Sequence, residues 1–243
     1  MEKARNLFVQ NTPAFIVGTA LLLAVIVGGI FYTTKSAGGN TLTVTGSAKQ
    51  TVVADNAIWR SSITRNVLAS DVKAGYVQLA GDLRIVQAFM AKNGITDKQI
   101  IILPVSLMQD YSQNANDPKR YTLTQSIEID TSDVAKITDI AKNVDGIVGQ
   151  GVLFQSNPVE YYYSQLDKAR VELLTAATAD AKARAAAMAK SSNQSVGKLR
   201  SASSGVVQVL SKGAVDNGEY GQYDTSKIDK DISVTVRATF GLR

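Results

Sequence analysis

Hydrophobic and polar positions change their period along this chain, and each change marks an element. The first apolar block, residues 14–32 ("AFIVGTALLLAVIVGGIFY"), carries no charge. It has the ~20 residues a helix needs to cross a hydrocarbon core. Residues 41–49 ("TLTVTGSAK") and 56–68 ("NAIWRSSITRNVL") then alternate as strands do. After Ser70-Asp71, read as a cap, a helical period runs to about Lys92 with Val77, Leu83, Val86, Phe89 and Met90 inward; Asn93-Gly94 ends it. "KQIIILPVSLMQ" and "RYTLTQSIEID" are predicted as single strands joined by the polar loop "DYSQNANDPK". In the second, Tyr121, Leu123, Ile127 and Ile129 share a face that only Gln125 interrupts.

Thr131-Ser132-Asp133 caps a shorter helix reaching about Asn143, and residues 150–156 ("QGVLFQS") read as another strand. An Ala-rich helix follows over about 163–191, whose small side chains allow close approach to a sheet or another helix. The last strand alternates most strictly, with Ile232, Val234, Val236, Ala238, Phe240 and Leu242 on one face and Asp231, Ser233, Thr235, Arg237, Thr239 and Gly241 on the other. Strand pairs separated by helices, without a regular βαβ repeat, predict an α+β domain. Its antiparallel sheet has helices packed on one face and is preceded by one N-terminal transmembrane helix. The implied organisation is a cytoplasmic N-terminus (1–13), a transmembrane helix (14–32), a linker (33–40, "TTKSAGGN" from Thr33) and one α+β domain (41–243).

Lys3 and Arg5 precede the apolar span and Lys35 follows it, a bias that keeps the N-terminus in the cytoplasm. The domain then faces the periplasm or the outside, behind a single membrane pass. The apolar run exceeds the 7–15 residues of an ordinary signal-peptide core, although Ser36-Ala37-Gly38 offers a small-x-small cleavage site.

Two absences in the composition restrict the chemistry: the 243-residue chain has no Cys and no His. Thiolate nucleophiles, imidazole bases and Cys/His zinc sites are therefore excluded. Carboxylates, Lys, Tyr, a Ser-Lys pair or an all-oxygen metal site remain. The net charge of +5 is spread among acids, without the basic stripe that nucleic-acid binding needs, so no nucleic acid is expected.

Ser195-Val196-Gly197-Lys198 fits S-x-x-K, but neither S-D-N nor K-T-G occurs; the exit of the long helix, with Gly197 as its stop, explains it better. Ser192 stands where a phosphate loop requires Gly, and "NANDPK" lacks the glycine of a calcium loop, so no metal or cofactor is expected. Three consecutive tyrosines, Tyr161, Tyr162 and Tyr163, cannot all enter one core. With Tyr220 and Tyr223 they are the candidate oligomer contacts, since tyrosine combines apolar area with a polar tip. In "GEYGQYDTSKIDKDI" (218–232), Asp224-Thr225-Ser226 can fold locally, and only Lys227 or Lys230 could replace the missing nucleophiles. The stretch reads as an assembly or sheet-ordering loop.

From Thr41 to Arg243 the chain resembles the SIMPL-domain proteins, bacterial envelope proteins of unknown function, in the subgroup with an N-terminal anchor. The resemblance lies in "LTVTGSA", "NGITDKQI", "ATADAKARAAAMAKSSNQSVGKLRSASSGVVQV" and "YGQYDTSKIDKDISVTVRATF". Many members carry Pro-Asp where this chain has Ala54-Asp55, which bears on one turn. The resemblance implies an α+β fold, an extracytoplasmic location, assembly into rings or larger homo-oligomers and a link to envelope stress. It implies no catalytic residues. The expectation is a membrane-anchored, self-assembling envelope protein with a structural or scaffolding role, held to lipid by its N-terminal helix and not an enzyme. The alternative is an extracytoplasmic ligand-binding or carboxylate/Lys-dependent hydrolytic domain.

Overall fold

Alternation and helical period become a mixture of helix and antiparallel sheet in the computed structural model, which describes residues 20, 22–27, 40–111, 117–214 and 221–243. The strands are β1 (Thr41–Val53), β2 (Asn56–Leu68), β3 (Ile100–Ile102), β4 (Ser106–Asp110), β5 (Arg120–Thr131), β6 (Phe154–Ser156), β7 (Glu160–Tyr162), β8 (Val196–Ser204), β9 (Gln208–Ser211) and β10 (Asp229–Leu242). The helices are α1 (Val72–Lys92), α2 (Val134–Lys142), the single turn α3 (Asp145–Val148) and α4 (Leu166–Ser191). The expected single sheet is two: one of six strands, β3-β5-β2-β6 with β4 beside β5 and β7 beside β2, and one of four, in which β10 lies between β1 and β8 and also pairs β9.

The chain divides into two compact units. One takes the chain up to Ser47, Ala177–Ser204 and Val236–Arg243; the other takes Ala48–Ala176 and Gly205–Thr235. The larger unit is built on the β2–β5 ladder, where Ala57 faces Thr131, Trp59 faces Ile129 and Ser61 faces Ile127. Because side chains alternate, this register puts Trp59, Ile63, Leu123, Ile127 and Ile129 in one core with Leu79, Val86 and Met90 of α1 and Ile137 and Ile140 of α2. Trp59 meets Phe154 edge-on, ring centroids 6.0 Å apart, and its indole N–H donates to the Asn157 carbonyl at 3.1 Å.

α1 begins after a 3-10 turn, Ala69–Asp71, and Asp71 makes no side-chain cap bond, contrary to expectation. Its inward stripe is Gly75, Leu79, Asp82, Val86 and Met90, while Val77 is 70% exposed. The apolar pattern misplaced the face because two stripe positions are glycine and aspartate. Asp82 is tolerated inside because Arg65 of β2 grips both its oxygens, at 2.5 and 2.6 Å. The helix ends as predicted at Gly94 (φ +76°): the Gly94 N–H reaches the Ala91 carbonyl and the Ile95 N–H the Met90 carbonyl. Asp133 caps α2 by accepting from the Lys136 N–H.

Other boundaries moved. Pro104 splits "KQIIILPVSLMQ" into β3 and β4 because it has no N–H for the ladder. Only Phe154–Ser156 of the 150–156 segment is strand, since Gly151 turns the chain at φ +79° after α3. The long helix begins at Leu166. Its stop is Asn193 (φ 55°), with the Gln194 N–H on the Ala189 carbonyl; Gly197 instead lies within β8.

In the smaller unit, Ala177, Ala181, Ala185 and Ala189 of α4 are buried, as are Val44, Val236, Ala238 and Phe240 of the strands. Small residues are required here. A Cβ placed on Gly46 would stand 2.2 Å from the Ala177 carbonyl oxygen and 2.3 Å from the Ala181 nitrogen. The adjacent Ser47 N–H donates to Asp180, fixing the strand against the helix at 2.8 Å.

Of the expected transmembrane segment, residues 20 and 22–27 are described and helical; the remainder of 14–32 and linker residues 33–39 lie outside the described residues. Among the described residues no helix is long and apolar enough to cross a membrane.

Gly46→Ala forces backbone apart and is expected to cost about 1–3 kcal/mol, the usual range for overpacking. Gly81→Ala in α1, where an added Cβ meets nothing within 4 Å, should stabilise by about 0.5–1 kcal/mol. Urea denaturation of the two variants checks both signs; a neutral Gly46→Ala would contradict the close packing.

Candidate functional site

The residues of the 218–232 stretch and the tyrosine run converge in the larger unit, while 215–220, including Tyr220, lie outside the described residues. The convergence starts from the backbone. The Val209 N–H bonds the Gln222 carbonyl, the Asp224 N–H bonds the Val209 carbonyl, and the Tyr161 N–H bonds the Thr225 carbonyl. Residues 222–225 thereby bridge β9 and β7.

Side chains complete the fastening. Asp224 accepts from the Ser226 N–H at 2.8 Å on one oxygen, forming the local turn expected of Asp-Thr-Ser, and from the Ser211 N–H and hydroxyl on the other. The Ser211 hydroxyl first, then the Ser226 N–H, hold this carboxyl far below the usual carboxylate range. Tyr223 lays its ring on Tyr162, centroids 5.6 Å apart, and its hydroxyl accepts from the Tyr163 N–H at 2.8 Å. Burial pushes the Tyr223 phenol up.

Lys230, with Lys227 one of the two lysines left as a nucleophile by the lack of Cys and His, packs against Tyr223. It is 0% exposed, its ammonium donating to the Asp224 carbonyl oxygen and lying 5.5 Å from the Tyr223 ring centre. Burial lowers its pKa, and the Asp224 charge only partly offsets that. Strand parity could have located it: Lys230 continues the face of Ile232, Val234 and Val236, all buried. The opposite face was expected to be wet, yet Asp231 is buried too. Lys49 and Thr51 of β1 and the Gly213 N–H hold its carboxylate at 2.7, 2.7 and 3.0 Å. Lys49 first, then that N–H, bring it down to about 2.

The other tyrosines are placed as follows. Tyr161 is in the core, its hydroxyl 3.0 Å from that of Thr138. Tyr162 is half-buried, its hydroxyl donating to Glu160, which also takes a hydrogen bond from Arg60 at 2.7 Å. Tyr163 is half-buried, and Lys227 is exposed. The Asp55 carboxylate accepts from the Ser164 N–H and hydroxyl, each at 2.7 Å, just before α4.

Chemically, this is a fastening. Both oxygens of Asp224 and of Asp231 already receive donors, and Lys230 is fully buried. A separate groove of about 490 Å³, lined by Arg84, Ile85, Phe89, Lys92, Gly146 and Gln150 among others, contains none of these residues. Among the described residues no group of three or more acidic side chains could hold a metal.

The two depressed carboxyls give the pH dependence its sign. Their stabilisation is complete above the unfolded value of about 3.9 and is lost as pH falls through the folded values. Stability should therefore drop between about pH 4 and pH 2, measured by urea midpoints. Asp224→Asn must set its NH₂ against the N–H of either Ser211 or Ser226, costing about 1–3 kcal/mol at pH 7. A variant as stable as the parent would remove Asp224 from the fastening.

A comparison with curated proteins finds no match. The SIMPL family, described as a protein of unknown function (DUF541), matches over residues 42–240, from the second residue of β1 almost to the end of β10. The match contains both sheets, α1 to α4 and the whole fastening, and on that extent the chain belongs to the SIMPL (DUF541) family.

Proposed function

We propose that this protein is a membrane-anchored, self-assembling component of the bacterial envelope with a structural or scaffolding role, its domain outside the cytoplasm. One observation carries the anchor: the helical residues 22–27 present Leu22, Leu23, Val25, Ile26 and Val27 all exposed, within a stretch uncharged from 14 to 32. Aliphatic side chains of this kind suit lipid far better than water. A scaffolding role is supported by how the domain uses its chemically able groups. Asp224, Asp231, Tyr223 and Lys230 hold strands and returning chain in place. Link to envelope stress is part of the same proposal, resting on the family resemblance.

The absence of cysteine makes topology directly measurable. Ser201→Cys, on an exposed position of β8, should react with a membrane-impermeant maleimide in cells whose outer membrane has been permeabilised. Asn6→Cys should stay protected until the inner membrane is lysed. The reverse pattern would overturn the orientation, and recovery of all the protein in the soluble fraction would overturn the anchor.

A further inference from the structure

The outer edge of the six-stranded sheet is unusually apolar. β3 and β4 both pair with β5 on the side away from β2, and among the described residues no strand lies beyond them. Along this edge Ile101, Ile102, Leu103, Leu107 and Met108 are all exposed, Met108 by 67%. Leu107 and Met108 are neighbours in one strand, so they point to opposite faces of the sheet, and each is exposed on its own face. A helix or flat surface could cover one face only. An added strand covers both and also engages the edge N–H and C=O groups, so the occupant this edge selects is an extended strand.

Pro104 restricts where that strand can sit. It lacks an N–H and interrupts the edge between β3 and β4, which leaves Ser106–Asp110 as the continuous template. We propose that β4 pairs antiparallel with β4 of a second copy, about a two-fold axis at Met108, joining two six-stranded sheets edge to edge. This deepens the self-assembly reading above and rests on it. The charge pattern favours a second copy: the only charge in Ser106–Asp110 is Asp110 at one end, and this register sets it against the Ser106 hydroxyl of the other copy. Leu107 meets Gln109, and Met108 meets Met108. No like charges face each other, and the same patch serves both partners, as a closed two-fold contact requires. Copies held in one membrane meet at high effective concentration, so a five-residue strand pair suffices.

Opposed residues of an antiparallel pair have Cα atoms about 4.5–5.5 Å apart, inside the roughly 4.4–6.8 Å span of a disulfide. In the full chain in native membranes, Met108→Cys should form a disulfide-linked dimer of the chain under copper-phenanthroline. Lys73→Cys, exposed on α1, should form none. Met108→Lys should lower the mass of the mild-detergent particle while leaving the far-UV spectrum and urea midpoint at parent values, since the side chain is exposed. If the parent is multimeric but Met108→Cys stays monomeric and Met108→Lys leaves the mass unchanged, this edge is not the contact and self-assembly stands by another surface. Loss of mass in Met108→Lys without a Met108→Cys dimer, because a foreign polypeptide occupies the edge, overturns the second copy as occupant. A parent that is monomeric in membranes overturns both readings.

Discussion

Asp224 is the constraint on which the returning chain depends. One carboxylate accepts from Ser226 ahead of it and from Ser211 on β9, and its backbone carbonyl takes the Lys230 ammonium. Three segments are thereby held at a single residue: β9, the turn at 224–226 and the start of β10. With Asp224 in place, Tyr223 is aimed at Tyr162 and the Tyr163 N–H, which ties β7 to the same point. Neutralising that carboxylate would loosen all of these contacts together, because buried polar partners lose more by being abandoned than they gain by being paired.

The start of β10 is an unusual strand end, with Lys230 buried on one face and Asp231 on the other. Each is tolerated for a different reason. Asp231 keeps its charge because Lys49, Thr51 and the Gly213 N–H replace its water. Lys230 lacks an equivalent shell: it has a carbonyl and the face of a phenol ring, and its charge is disfavoured as a result. The amine is enclosed beside the Tyr223 ring, and the whole residue is 0% exposed. The aliphatic stem simply continues the apolar face of the strand.

A domain organised this way directs its polar groups inward and leaves apolar groups at an edge. The Asp224 and Asp231 carboxylates are held by neighbouring backbone and side chains, whereas the edge running from β3 to β4 exposes five aliphatic or thioether side chains. Such a distribution supports the proposed self-assembly, and Pro104 limits the edge at the same time as it is exposed.

Most elements were legible because they rest on local physics. The core face of β5 follows from an alternation broken only at Gln125, the end of α1 from Asn93-Gly94, the start of α2 from Asp133, and the turn at 224–226 from Asp-Thr-Ser; the zero counts of Cys and His closed whole classes of chemistry. What failed locally depended on distant partners. Asp82 belongs inside α1 only because Arg65 lies across from it, and Gly46 is obligatory only because α4 backbone occupies the space of its Cβ. The split into two sheets followed from which strands β10 pairs, information carried by no single segment. The same holds for the fastening: parity could place Lys230 on the apolar face, but only tertiary structure brought Tyr223 over it and filled every oxygen of Asp224. Period and turn chemistry act over a few residues and are written in the chain, whereas desolvation and charge pairing depend on groups that meet only after folding.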